Sequence, residues 1–400
     1  MLTSFYYGLK LVIAFIYLRL FRSDLLKMRI WTLGEKITEA RDNAYWLLQY
    51  ILSVKPDFPV YYVIKRGSPD EKKLKDARVL YYGSFKHCIY SLAAEKCISG
   101  QTHWNIPFYN ERGIGALYEK LRNKRQKKIW ISHGVKKDKI SSYDYRVSGY
   151  DLMTVAVKRE YDYYKKVFNL PVKKIALTGL CRFDRLYDFT EKNQILIMPT
   201  FRGWLRTSNS SKERANDNEI DMFKASSFYS SFSKLLHDER MNYIAKSHDI
   251  KIVFYLHYTF QPYSFLFKDA LRDEDRDFIV IAERDAYDVQ SLLKESRLLI
   301  TDYSSVFFDF AYMRKPVIYY QFDKNEYRER HYKEGYFSYE KDGFGPVLEK
   351  EEDVIESLSQ YVNNGFQIDS KYKNRMEVFF VPHDNANCKR TFEVIKDGVY

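Results

Sequence analysis

The stretch "LLITDYSSVFFDFAYMRKPVIYY", residues 298–320, decides the fold. Two short apolar runs, Leu298–Ile300 and Val317–Tyr320, have the β-branched and aromatic composition of buried strands. Between them lies a polar turn followed by the helical run Val306–Arg314. A strand, a helix and a second strand in that order make a crossover unit of a parallel sheet. Thr301, Asp302, Ser304 and Ser305 then sit at the carboxyl end of the first strand and at the start of the helix, where ligands of such sheets bind and free backbone N–H groups favour an anion. Asp309 follows Ser305 by four residues, on the same helical face, placed to accept the two hydroxyls of a ribose. Serine and aspartate are also ordinary helix caps at such a place, so the turn acquires meaning only from its neighbours.

Outward from this unit the same alternation recurs. In the second half, "QILIMPT" (194–200), "IKIVFYLH" (250–257), "DFIVIAE" (277–283) and "RLLITD" (297–302) read as strands, with "NEIDMFKASSFYSSFSKLLHD" (218–238) as one long helical stretch and "DVQSLLKES" (288–296) as a capped helix. In the first half, "FPVYYVIK" (58–65), "ARVLYYGS" (77–84), "KKIWISHG" (127–134), "LMTVAVK" (152–158) and "KKIALTGL" (173–180) are strand-like. "ARDNAYWLLQYILS" (40–53) carries Ala44, Leu47, Leu48 and Ile51 at helical spacing, with Asp42 and Asn43 suited to its first turn. A chain of 400 residues exceeds one usual core, and two doubly wound α/β halves joined near residue 190 are expected. The division is residues 1–30 as an amphipathic membrane-associated segment, 31–190 as an acceptor-side domain and 191–400 as a donor-binding domain, whose last helix can pack back on the first.

Apolar residues make up 46% and charged residues 30%, which fits an ordered globular protein. Four scattered cysteines without CxxC pairing give neither a disulfide framework nor a zinc site and point to a reducing, cytoplasmic setting. The formal charge of +12 biases the molecule toward polyanions, whether nucleic acid, nucleotide phosphates or an anionic membrane face. "FYYGLKLVIAFIYLRLFR" (5–22) is apolar but interrupted by Lys10 and Arg19, short of the about 20 clean apolar residues of a span. With Arg22, Lys27 and Arg29 behind it, it reads as a helix lying at a membrane surface, with Lys10, Arg19 and Arg22 facing the headgroups. "KLRNKRQKK" (120–128) is a solvated face or a second phosphate-facing patch.

The strand ends carry the chemistry: Ser132-His133-Gly134, Thr178-Gly179 with Arg182 and Asp184, Thr200 with Arg202, His257, and Thr301-Asp302 with Ser304 and Ser305. Histidines, hydroxyls and arginines at successive strand ends suit a phosphate-rich ligand. The chain has no GxGxxG for a dinucleotide, no GxxxxGK[ST] P-loop and no GxSxG elbow. "RDEDRD" (272–277) is a solvated turn, and no metal site is marked.

Together "ITDYSSVFFDFAYMRKPVIYYQFDKNEYRERHYKEGYFSYEKDGFGPVLEKEEDVIESL", "EARDNAYWLLQYI", "ISHGVKK", "TGLCRFDRL", "IMPTFRG" and "HDNANCKR" resemble the CDP-glycerol glycerophosphotransferase family, the primases and polymerases of wall teichoic acid and related capsule enzymes, from about Glu35 to Lys389. The resemblance implies a GT-B-like fold, two doubly wound Rossmann-like domains facing a central cleft with an N-terminal membrane-associated helix. It implies a peripheral enzyme of the cytoplasmic membrane face that moves glycerol phosphate from CDP-glycerol to a hydroxyl of a lipid-linked saccharide, of undecaprenyl type, or of a growing chain, and releases CMP. No nucleic-acid partner and no cofactor beyond the donor substrate are implied, and a divalent cation and the oligomeric state stay open.

Carried over by position, the HG motif falls on His133 and Gly134, the second histidine on His257, the PTxR stretch on Pro199, Thr200 and Arg202, and the donor motif on Asp302, Ser304, Ser305 and Asp309. Three positions depart from the family pattern: Ser132 and Tyr258 stand where Trp and Pro are usual, and Cys181 where Pro is usual. His133 is assigned as general base, and His257 as the group that stabilises the leaving CMP, with Arg202 and Arg182 as cationic donors. The alternatives are a sugar-nucleotide glycosyltransferase of the same fold, a CDP-ribitol ribitolphosphotransferase, and a basic binding protein without catalysis. The short chain, with no large domain before Glu35, favours a primase or capsule enzyme over a long-chain polymerase.

Overall fold

The structure, a computed structural model, describes residues 2–139, 149–168, 170–205, 215–284 and 286–398. They form two compact units. The first holds the described residues up to Val135, those from 149 to Arg185, and those from Asp384 onward; the second holds 136–139 and Leu186–His383.

In chain order the first strands are β1 (Trp31–Gly34), β2 (Val60–Ile64), β3 (Arg78–Tyr81), β4 (Lys96–Ser99), β5 (Lys127–Trp130), β6 (Asp138–Lys139), β7 (Leu152–Val155) and β8 (Ile175–Leu177). All but β6 form one parallel sheet in the order β3-β2-β1-β4-β5-β7-β8. Strand order reverses between β1 and β4, so the carboxyl ends of that pair are the crevice of this unit. Trp31, Leu33, Tyr62, Ile98 and Ile129 pack with Ala44, Leu47, Leu48 and Ile51 of the helix Asn43–Val54, the four residues expected from helical spacing. Burial on both faces explains why these strands read as continuous apolar runs.

The second unit continues with β9 (Gln194–Ile197), β10 (Lys251–Tyr255), β11 (Ile279–Ala282), β12 (Leu298–Thr301), β13 (Val317–Tyr320), β14 (Lys333–Glu334) and β15 (Val347–Leu348). Six of these make a parallel sheet ordered β11-β10-β9-β12-β13-β15, which reverses between β9 and β12. The crossover helix of the opening stretch is Val306–Tyr312. β14 pairs antiparallel with β6, so a piece of chain from the first half is built into the second unit. The single long helix expected over 218–238 is two, Asp217–Lys224 and Ser227–His237. Ser226 breaks the run because its hydroxyl accepts the Tyr229 N–H as a new helix cap, at 3.2 Å.

The closing helix, Asn387–Asp397, belongs to the first unit. Asp184 caps it, one carboxylate oxygen accepting the Asn387 N–H and the other the Cys388 N–H, both at 2.8 Å. Gly179 permits this seating twice over. Its φ of +81° is left-handed, and a Cβ there would lie 1.6 Å from Asn387 Oδ1.

The N-terminal helix Leu2–Phe21 packs Leu11, Ala14 and Leu18 against the helices Phe85–Ala93 and Ile114–Leu121. Its opposite stripe, with Phe5, Leu9, Ile13, Ile16 and Leu20, is exposed. By length and composition alone Thr3–Phe21 is long and apolar enough to cross a membrane, although the sequence reading set it short of a span.

Gly179→Ala is expected to lower the thermal midpoint of the first unit by several degrees, since left-handed strain and a backbone-anchored neighbour together cost on the order of 1–3 kcal/mol. A midpoint equal to wild type in a thermal scan would refute the close approach.

Candidate active site

In the second unit the reversal point between β9 and β12 brings Thr200, Arg202, Thr301 and Asp302 together. Asp302 accepts the Thr200 N–H at 2.8 Å on Oδ1 and Arg202 Nη1 at 2.8 Å on Oδ2. Arg202 Nη1 also donates to the Thr200 carbonyl at 2.7 Å, while Nε and Nη2 grip Asp323 bidentately at 2.6 and 3.0 Å. Tyr303 O–H donates to Asp323 at 3.2 Å, and Gln321 Nε2 donates to the Asp302 carbonyl at 3.2 Å. Burial opposes the Arg202 charge, but the two carboxylates outweigh it and hold the guanidinium firmly protonated. Asp323 is held above the usual carboxylate range by burial, against the pull of Arg202, because one cation between two carboxylates leaves a negative charge uncompensated.

This geometry corrects three expectations. Arg202 is fully buried and each of its three nitrogens is committed to the protein, so it braces the strand ends instead of presenting a cation to a phosphate. Asp302 is likewise fully buried within that brace. Thr301 spends its hydroxyl on the Met198 carbonyl at 2.7 Å and also has no exposed surface. Ser304 and Ser305 are half-buried at the start of the helix Val306–Tyr312, and Ser305 makes no capping bond. Asp309 lies on the buried side of that helix.

His257 follows β10, half-buried, with its ring stacked on Phe201 at 4.6 Å between centroids. Its Nδ1 accepts the Thr259 N–H at 3.3 Å, which places the proton of the neutral ring on Nε2. Phe201 also meets His331 edge-on at 4.8 Å. His331 Nδ1 accepts the Gly203 N–H at 3.1 Å, and burial, reinforced by Arg202, pushes its pKa down to about 4. Three buried polar atoms without a partner gather in this neighbourhood: Thr200 Oγ1, Gln321 Oε1 and His331 Nε2. An orphaned buried polar group costs about 1–3 kcal/mol, a cost that a bound ligand or water relieves by supplying the missing partner.

In the first unit the corresponding positions are the ends of β1, β4 and β5. His133 is exposed and stands between Ser132 and Gly134, both buried. Arg182 is part of this unit; its Nη1 donates to Asp42 at 2.9 Å and to the His133 carbonyl. Arg182, expected as a cationic donor toward the ligand, touches the histidine turn through that Nη1 contact. Glu35, just past β1, accepts the N–H groups of Arg41, Asp42 and Tyr45 at 2.7, 3.0 and 3.4 Å. Its burial, with Asp42 nearby, pushes its pKa up to about 8. Among the described residues no group of three or more His, Cys, Asp or Glu is arranged to hold a metal ion.

The CDP-glycerol:poly(glycerophosphate) glycerophosphotransferase family model matches residues 16–397. The chain belongs to this family. A relative at 31% identity over 378 residues is the minor teichoic acid biosynthesis protein GgaB of Bacillus subtilis (strain 168). That match takes in 92% of this chain but 39% of GgaB, so the chain spans well under half of that relative's length. Among solved structures, a variant of the wall teichoic acid polymerase TagF soaked with CDPG superposes with a TM-score of 0.69 at 15% identity, covering 100% of this chain and 94% of that solved chain. UDP-GlcNAc 2-epimerase from Neisseria meningitidis, bound to UDP-GlcNAc, aligns at a TM-score of 0.52 and 13% identity over 92% of this chain and 100% of that one. These likenesses establish a GT-B-like fold built from parallel α/β sheets.

Asp42 and Asn43 were read only as first-turn residues of their helix, and Glu35, Asp323 and His331 were not read as site residues. Asp323 lies three residues beyond β13, a strand-end position like those that were read. His331 had no such signal, being at the end of the helix Lys324–Arg330.

A histidine kept neutral in the fold must be charged when the chain unfolds in acid, so stability is complete above about pH 6.5 and falls toward about 4 for His331, and for the buried His87 alike. In thermal scans across that window His331→Asn is expected to lose less stability than wild type, His87 acting equally in both. Parallel curves for the two proteins would rule out a depressed pKa at His331.

Proposed function

We propose that this chain transfers glycerol phosphate from CDP-glycerol to a hydroxyl of a lipid-linked saccharide or growing polyol-phosphate chain. The acceptor oxygen attacks the phosphorus that bears glycerol, the bond from that phosphorus to the oxygen of CMP breaks, and the acceptor proton leaves to a base. His133 takes that proton: imidazole is the side chain most often used for proton transfer near neutral pH, and this one is exposed. His257, donating from Nε2, hydrogen-bonds the pyrophosphate and stabilises charge on the departing CMP. Ser304 and Ser305, half-buried at the helix start, add hydroxyl donors. The observation that carries the donor assignment is the gathering of Thr200 Oγ1, Gln321 Oε1 and His331 Nε2 around the β9–β12 reversal in a chain of this family.

The same reading places the protein at the cytoplasmic face of the membrane. The exposed stripe of the N-terminal helix offers apolar side chains to the acyl boundary. Of the three expected headgroup contacts, Arg19 is exposed, Lys10 is half-buried and Arg22 pairs with Asp24 at 3.2 Å. The two basic runs, far apart in sequence, meet in the fold. The Arg125 guanidinium donates to the Leu26 carbonyl, and Lys27, Arg29, Arg125 and Lys127, with Glu95 beside Arg29, line a cavity of about 390 Å³ whose net positive charge suits an anionic headgroup.

With CDP-glycerol and a synthetic lipid-linked acceptor, wild type should release CMP, and His133→Ala and His257→Ala should each be slower by about 10²–10⁴-fold. Release of CMP from CDP-ribitol alone, or of UDP from a UDP-sugar, would replace glycerol phosphate as the transferred group.

In flotation assays the protein should rise with phosphatidylglycerol vesicles, and the surface variant Leu9→Glu/Ile13→Glu/Ile16→Glu should stay behind. Equal flotation of the two proteins, or none by wild type, would remove the membrane assignment.

A further inference from the structure

The turn that carries His133 is held in a conformation its own sequence disfavours. Ser132 has φ +49°, the left-handed region that a non-glycine residue occupies only where its surroundings over-determine it. Those surroundings are specific hydrogen bonds. Asn43 Nδ2 donates to the Ser132 carbonyl at 2.9 Å, Arg182 Nη1 donates to the His133 carbonyl, and the Ser132 hydroxyl donates to the Gly134 carbonyl at 2.8 Å. Every carbonyl of the three-residue turn is therefore engaged. The clamp is closed on itself as well, because Asn43 Oδ1 accepts the Arg182 backbone N–H at 2.9 Å and Asp42 accepts Arg182 Nη1 at 2.9 Å.

Asp42 shows that this arrangement is more than local packing. It occupies the cap position of the helix Asn43–Val54, yet its side chain makes no capping bond. Glu35 performs the capping from the end of β1, through the N–H groups of Asp42 and Tyr45. The helix start is thereby secured by one carboxylate while the other is released to orient Arg182.

We infer that Asn43 and Asp42 are positioning residues for His133: with Arg182 they fix the peptide planes on both sides of its Cα and so the line along which its imidazole is presented. The inference rests on the proposed role of His133 as general base. A proton acceptor works only within hydrogen-bond reach of the reacting hydroxyl, and a displacement of about 1 Å can cost about 10²-fold in rate.

The test is a double-mutant cycle read by CMP release from CDP-glycerol with a lipid-linked acceptor. Asn43→Ala should lower kcat by about 10–100-fold and leave the KM for CDP-glycerol within about twofold, as expected when transition-state contacts alone are lost. In a His133→Ala background the same change should cost less than about threefold, since the two residues act as one unit. Asp42→Asn, which keeps the shape and removes the charge facing Arg182, should lower kcat in the same direction and be equally silent beside His133→Ala; it carries the cycle if Asn43→Ala does not fold. A wild-type kcat for Asn43→Ala, or an equal loss in both backgrounds, overturns the positioning role alone. Full CMP release by His133→Ala overturns the base assignment and the inference with it.

Discussion

The second unit depends on a cation that never meets solvent. Arg202 joins the loop after β9 to Asp302 at the end of β12 and to Asp323 beyond β13, so three strand ends share one guanidinium. Burying an ion costs several kcal/mol unless partners repay it, and removing one partner of a buried pair typically costs about 3–5 kcal/mol. Such an arrangement contributes little net stability compared with an apolar core. What it supplies is geometry: the planar fork admits one mutual placement of the two carboxylates, and Thr200 is pinned through its N–H by Asp302 and through its carbonyl by Arg202. The loops bearing Ser304, His257 and His331 are built around that placement.

The first unit solves the same problem with different chemistry. There an amide and a guanidinium act on backbone carbonyls of the turn after β5, and Asp42 provides a counter-charge to Arg182. In both units the residues that look reactive in the sequence divide into a few that face outward and several that hold them. Among the described residues of the second unit, His257 and His331 each accept a backbone N–H on Nδ1, which leaves Nε2 as the donor.

The strands were legible because burial on both faces demands uninterrupted β-branched and aromatic runs, as in "QILI" and "LLIT". The helix Asn43–Val54 was legible from its spacing, but the use of Asp42 was not, since the same residue type caps helices and binds arginines. The helix Phe85–Ala93 was not read because its buried face includes His87, Cys88 and Ser91, which weakens the apolar stripe. The strand β4 begins with Lys96, whose amino group is drawn inward to the carbonyls at the end of the closing helix, so its pattern resembles a surface loop. Arg202 and Asp302 were placed at the right strand ends, and what escaped was their direction. A sequence marks a polar residue near a crevice without telling whether it lines the crevice or braces its floor.

The path of the chain constrains how this protein can change. The strand Asp138–Lys139 lies in one unit between stretches that fold in the other, and the closing helix returns to a bed formed almost entirely by the amino-terminal half. Neither unit is a continuous segment that a single crossover could exchange. A recombinant joined at one point would inherit a strand without its pairing edge and a helix without its socket. Innovation in what such an architecture recognises is therefore channelled into substitutions within the strand-end loops, where one residue can be altered without re-threading the chain.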